Sequence, residues 1–188
     1  MPKVLYQSRY ADYGTSYRNI PVGLESSTLD TYSLDMGKYG ALSVLAMDRH
    51  DLTYFMEGVA GLLAASGEIE TYVFDPGHLL SLTEIDEAHY IAENFEDTVV
   101  KLFRETVERH NTYKKSDGHP DPSFDMHPIL VAINGLGALK AQVTEDGVSK
   151  LRLMMEKTHG KLNLSFLAAD DYQSSNRYCA EDWCGGNG

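Results

Sequence analysis

Apolar residues along this chain alternate between two rhythms. Short apolar runs at 42–46 (Leu-Ser-Val-Leu-Ala), 69–74 (Ile-Glu-Thr-Tyr-Val-Phe), 129–133 (Ile-Leu-Val-Ala-Ile) and 162–168 (Leu-Asn-Leu-Ser-Phe-Leu-Ala) predict four strands. The 129–133 run is apolar throughout, as a parallel strand covered on both faces should be. After the first strand, Phe55, Met56, Val59, Leu62 and Leu63 recur at helical spacing and predict a helix over 52–65 with that face buried. Gly58 and Gly61 inside it cost roughly 1 kcal/mol each, which close packing on the sheet would offset; Gly67 ends it. A long helix is predicted from near Asn94, an N-cap with Glu96 and Asp97 in the first turn. Its expected buried face is Phe95, Val99, Leu102, Phe103, Thr106, Val107 and His110. Asp97–Lys101 and Glu105–Arg109 read as i,i+4 pairs on a solvated face. A third helix carries Val148, Leu151, Met154 and Met155 and ends at His159-Gly160.

Strand and helix in strict alternation argue an α/β fold, a parallel sheet with helices on both faces. Ligands of such sheets bind beyond the carboxyl ends of the strands, here Ala46, Asp75, Asn134 and Ala169. Residues 1–19, rich in tyrosine (Tyr6, Tyr10, Tyr13, Tyr17), read as a peripheral lead-in; 20–188 read as one domain. Within it, 20–24 read as a loop and 31–36 as a short strand before the central unit.

The chain has 188 residues, 43% of them hydrophobic, enough for one domain with a real core. Twenty-eight acids against 16 Lys and Arg leave a net charge of −12, which argues against nucleic acid as a partner and against direct contact with an anionic membrane. No apolar run reaches membrane-spanning length, and the first residues lack a signal-peptide core, so a cytosolic location is expected. Cys179 and Cys184 lack the spacing and neighbours of a zinc site and read as reduced thiols. His110, His119 and His127 match no ligand pattern either, so no metal site is expected.

The stretch with most chemical content is Ala46 to Thr53, between the first strand and the helix. It can be aligned with the phosphate-loop pattern G-x-x-x-x-G-K-[ST], in which backbone N–H groups wrap a phosphate and a lysine reaches the outer phosphates. Ala46 stands for the first glycine, Asp51 for the second, Leu52 for the lysine; only Thr53 fits. Asp48 and Asp51 place negative charge where a polyphosphate would sit, beside Arg49 and His50. Asp51 is expected to cap the helix with its own carboxylate.

The order of the pieces resembles the FtsK/SpoIIIE-type ATPases, most closely the last ATPase domain of the membrane-anchored type VII secretion ATPase. The residues carrying this are Ile20-Pro21-Val22-Gly23-Leu24, Tyr32-Ser33-Leu34-Asp35, the 42–53 stretch, Tyr72-Val73-Phe74-Asp75, Ala168-Ala169-Asp170-Asp171-Tyr172-Gln173, Trp183 and Gly185-Gly186-Asn187-Gly188. The resemblance implies a three-layer RecA/FtsK-like P-loop NTPase sandwich. It also implies a chain that stops before the last strands, as a piece of a larger protein. The second nucleotide motif of that family is a strand ending in acids that hold Mg²⁺ and polarise water. The matching strand here ends in Asn134-Gly135, and Asn supplies neither charge nor a base.

Two expectations follow. The first is a catalytically inactive domain without ATP or Mg²⁺, a docking or regulatory module. Its partners would be a secreted small helical-hairpin protein, or that protein's C-terminal signal peptide, and neighbouring ATPase domains of the same parent. The second is an active secretion or DNA-translocase ATPase, with Arg49 standing in for the lysine and Asp75 or Asp170 for the missing acid.

Overall fold

The computed structural model describes residues 16, 18–28, 30–65, 67–81, 88–115, 126–158 and 162–171. An antiparallel hairpin, β1 (Ile20–Leu24) and β2 (Thr31–Leu34), precedes the central unit. That unit runs β3 (Ala41–Ala46), α1 (Arg49–Ala65), β4 (Glu70–Phe74), β5 (Ala88–Ile91), α2 (Phe95–Lys115), β6 (Ile129–Asn134), α3 (Leu136–Lys140), α4 (Glu145–Thr158) and β7 (Leu164–Asp171). The five strands form one sheet in the order β3-β7-β6-β4-β5, every adjacent pair parallel.

The chain steps outward from β3 to β4 and β5, then returns through α2 to β6 and through α4 to β7. Because parallel crossovers are right-handed, reversing direction puts the returning helices on the opposite face from α1. Two apolar cores follow. On one face Leu52, Met56, Val59, Ala60 and Leu63 of α1 pack with Leu130 and Ala132 of β6 and Leu167 and Ala169 of β7. On the other, Val99 and Leu102 of α2 and Leu151, Met154 and Met155 of α4 pack on Val131, Ile133 and Phe166. Every residue of β6 is buried, as its unbroken apolar run requires. The hairpin is pinned to the first face by Ile20 and by Ser165, whose hydroxyl donates to the Met36 carbonyl at 2.9 Å.

The expected parallel α/β sheet is therefore present, with differences in detail. Residues 20–24 form a strand and not a loop, because β1 has β2 as a partner. β5 and α3 escape the periodic pattern, being four and five residues long. α1 begins at Arg49, earlier than the apolar rhythm indicates. Asn94 takes φ 53°, a left-handed turn, before α2 opens at Phe95. Val107 is 42% exposed and lies off the buried face.

Arg109 is the larger correction. It does pair with Glu105, at 2.7 Å, but it is buried and not on a solvated face. Its guanidinium donates to the carbonyls of Leu162, Asn163 and His127. It thereby ties α2 to the amino ends of β6 and β7, sharing the Asn163 carbonyl with the Ile129 amide. His119, the predicted helix end at His159-Gly160, Cys179, Cys184 and the stretch from Tyr172 through Trp183 to Gly188 lie outside the described residues.

Candidate functional site at the carboxyl edge of the sheet

The carboxyl ends of β3, β7, β6 and β4 lie side by side, with Ala46 registered against Asp171, Asn134 against Ala169 and Phe74 against Ile133. The alternation of each strand decides which side its next residue takes. Val73 and Ala132 face α1, so Asp75 and Asn134, two residues further on, do too. Asp75 is fully buried. Its Oδ1 accepts from Asn134 Nδ2 at 3.1 Å, and its Oδ2 accepts from the Leu80 amide and the Tyr90 hydroxyl, both at 2.8 Å. Burial, then the bond to Asp75 and its negative charge, push the Tyr90 phenol up to about 12.

Those bonds fold the 75–81 segment back over the edge. Leu80 is buried in the α1-side core, and the Ser81 amide donates to Glu57 Oε1 of α1 at 2.6 Å. On the other side Gln142 Nε2 donates to the Pro76 carbonyl at 3.2 Å. A methyl built on Gly77 would come within 3.6 Å of the Arg49 guanidinium, so Arg49 lies along this segment.

The loop between β3 and α1 consists of Met47 and Asp48 alone. Asp48 Oδ1 accepts from the His50 amide at 2.7 Å, so Asp48 and not Asp51 caps the helix; Asp51 already stands in the first turn, where its charge favours the dipole. Leu52 is 3% exposed and belongs to the core beneath α1. The Thr53 hydroxyl donates to the Arg49 carbonyl at 3.0 Å. At the second motif Gly135 adopts φ 98°, where a side chain would be strained, and its amide continues the ladder to the Ala169 carbonyl. Asp170 Oδ2 accepts from the Gly137 amide at 3.0 Å.

The residues of the two nucleotide motifs thus gather at one edge with the neighbouring acids: Asp75 with Asn134, Asp170 with the turn after Gly135, Arg49 with the 75–81 segment. Sequence reasoning missed Tyr90, Leu80, Glu57 and Gln142, whose roles depend on where the unpredicted β5 and the loops fall. Leu45, Met47 and Tyr54 near this edge are exposed. Among the described residues no group of three or more His, Cys, Asp and Glu could hold a metal ion, and no helix is long and apolar enough to cross a membrane.

No protein-family model matches the chain, and no curated protein does. Solved structures do. EssC ATPases 2 and 3 from Geobacillus thermodenitrificans superpose with a TM-score of 0.70 over 94% of this chain and 34% of theirs, at 17% identity. Thermomonospora curvata EccC ATPases 2 and 3, in complex with a signal sequence peptide, give a TM-score of 0.70 over 96% of this chain and 34% of theirs, at 12% identity. The fold is that of a type VII secretion ATPase domain. The pCW3 conjugation coupling protein TcpA, in a monomer form with ATPγS, shares the fold, at TM-score 0.64 and 18% identity over 90% of this chain and 52% of that one. The chain spans about a third of the length of the two secretion ATPase structures. The RecA/FtsK-like sandwich implied by the sequence motifs is the fold found.

Proposed function

We propose that this chain is a catalytically inactive FtsK/SpoIIIE-like domain that serves as a substrate-docking or regulatory module of a type VII secretion motor. One observation carries the reading: α1 starts at Arg49, leaving only Met47 and Asp48 after β3. A phosphate cradle needs several backbone N–H groups turned onto one point, with a cation beside them. Two residues are too few to wrap a phosphate. Asp48 takes one of the helix-start donors for itself and, with Asp51, repels an anion at close range.

The other parts fit a nucleotide no better. Leu52, at the lysine's place in the pattern, is core and cannot be swung outward without opening a cavity. The Asp75 carboxylate has both oxygens engaged by neutral donors and no exposure, which counts against its serving as a metal ligand or base. Asn134 supplies no charge. These features favour the inactive reading over an ATPase built on Arg49, Asp75 and Asp170. Isothermal calorimetry with Mg·ATP is expected to give no binding at micromolar concentrations; a low-micromolar dissociation constant would overturn the reading.

Docking is supported by the exposed Leu45, Met47 and Tyr54 at the same edge, since exposed apolar residues of this size favour a protein partner. The partner we propose is the C-terminal signal peptide of a secreted helical-hairpin protein, or a neighbouring ATPase domain of a membrane-anchored parent. The net charge of −12 disfavours DNA. Fluorescence anisotropy with labelled signal peptide tests this: Met47→Asp and Tyr54→Ala are expected to weaken binding roughly tenfold or more, and unchanged affinity in both would refute the surface.

A further inference from the structure

Away from the carboxyl edge, four polar side chains join β5, β4 and α2 into one chain. His89 Nε2 lies 3.2 Å from Glu70 Oε1. The Tyr72 hydroxyl donates to the same oxygen at 2.5 Å and accepts from Lys101 Nζ at 2.8 Å. The His89 and Tyr72 rings stack at 4.5 Å between centroids, and Lys101 Nζ lies 5.0 Å from the Tyr72 ring centre. This is where β5 needs help. It is a four-residue edge strand whose only strand neighbour among the described residues is β4. Its Tyr90 is fastened to Asp75 near the carboxyl end; the preceding residue, His89, faces the opposite side of the sheet and is held through Glu70 and Tyr72.

We propose that this cluster is a proton-sensitive fastener, which holds the edge strand β5 to the sheet when His89 is protonated and loosens it as the pH rises. Histidine is the side chain whose charge ordinarily changes between pH 5 and 8. The groups facing it are Glu70 and Tyr72 from β4 and Lys101 from α2, with Asp97 and Glu105 beside Lys101. Glu70, Tyr72 and Lys101 keep their charge states through that window. Burial would raise Glu70, but the Tyr72 bond and the His89 and Lys101 charges outweigh it and leave the carboxyl below its usual range. Burial and the Glu70 bond raise Tyr72, and the Tyr72 bond raises Lys101. Protonation therefore converts a neutral imidazole contact into a charge-assisted bond to a fixed carboxylate.

The test is residue-resolved amide hydrogen exchange on the whole chain at about pH 5.5 and about pH 8, corrected for intrinsic rates. Protection of the 88–91 amides is expected to fall roughly three- to tenfold at the higher pH, while the β6 amides stay constant. His89→Gln and the near-isosteric Glu70→Gln are each expected to flatten that dependence. Three results would overturn the proposal: no pH dependence in the wild type, the same dependence in both variants, or β6 changing in step with β5.

Discussion

Asn134 Nδ2 donates to Asp75 Oδ1 at 3.1 Å, at the carboxyl ends of two adjacent strands, with both residues buried. The acid stands on β4's end and the amide on β6's, where the ATPases of this fold class that the sequence resembles carry their acids. This pairing bears directly on whether the domain could be returned to catalysis by restoring one residue.

Asn134→Asp is expected to fail. It sets a second carboxylate about 3 Å from the first in a buried place, so one must take up a proton or the edge must open; the expected loss is roughly 3 kcal/mol or more. The exchange Asp75→Asn with Asn134→Asp restores one acid and one amide, and the new amide oxygen on β4 would still accept from Leu80 and Tyr90. Urea denaturation of wild type, both single variants and the exchange measures this. If Asn134→Asp alone is as stable as wild type, or the exchange is no better than that single variant, the pairing does not set the edge's stability.

Tyr90 gives the pair an alkaline signature. Its phenol is raised from the ordinary 10.0 to about 12. A raised folded-state pKa means that its stabilising contribution is complete below about pH 10 and is lost as the pH climbs through about 12. The ring is only partly buried, so the contribution is about 1 kcal/mol once solvent screening is allowed for. Denaturant midpoints between pH 8 and 12 should fall more steeply for wild type than for Tyr90→Phe. Parallel curves would show that the hydroxyl adds no such linkage.

Much of this architecture is legible in the sequence because its physical causes are local. The unbroken run Ile129–Ile133 announces a doubly covered strand, and the three-four spacing of Met56, Val59 and Leu63 announces the helix that covers it. The site is less legible. Asp51 looks as good a cap as Asp48, and only the true start of α1 separates them; helix ends depend on how the preceding strand delivers the chain. Arg109 reads as a surface i,i+4 partner, because the carbonyls that draw it inward belong to residues 18 to 54 positions away. β5 is too short for a period, so Tyr90 could not be placed beside Asp75.

The contact between α2 and α4 offers a prediction of sign. Glu96 accepts from the Thr144 amide at 2.9 Å and its hydroxyl at 3.0 Å, while Thr144 caps α4 through the Gly147 amide at 3.1 Å. A Cβ on Gly147 would meet Glu96 Oε2 at 2.6 Å. Gly147→Ala must therefore push the carboxylate off Thr144, and is expected to destabilise by about 1 kcal/mol despite the helix propensity gained. With Glu96→Ala already present the clash is gone, and the same change should stabilise by a few tenths of a kcal/mol or more. A thermal or urea double-mutant cycle gives the coupling; an equal effect in both backgrounds would mean that Glu96 is not what keeps residue 147 small.

The stretch between β3 and α1 resists repair by point substitution. Comparison with the motif suggests restoring it by Asp51→Gly with Leu52→Lys, giving back the glycine and the cation. The structure argues that this double change harms the protein and brings no nucleotide. Leu52 is 3% exposed and packs in the core with Met56, Val59 and Leu63. A lysine there must bury its ammonium or withdraw and leave a cavity, at a cost of roughly 3 kcal/mol. Nor would a glycine at 51 create a cradle, because Arg49 and His50 before it are already helical and Asp48 holds the His50 amide. The missing element is chain length between β3 and α1, which substitution cannot add. Lengthening that loop with inserted glycines, and leaving Leu52 in the core, is the change that could form a wrapped backbone. Calorimetry with Mg·ATP and a melting curve decide the point together. A double variant that keeps the wild-type melting temperature and binds Mg·ATP in the low micromolar range would show that the start of α1 can unwind, and that the loop is closed only by its side chains.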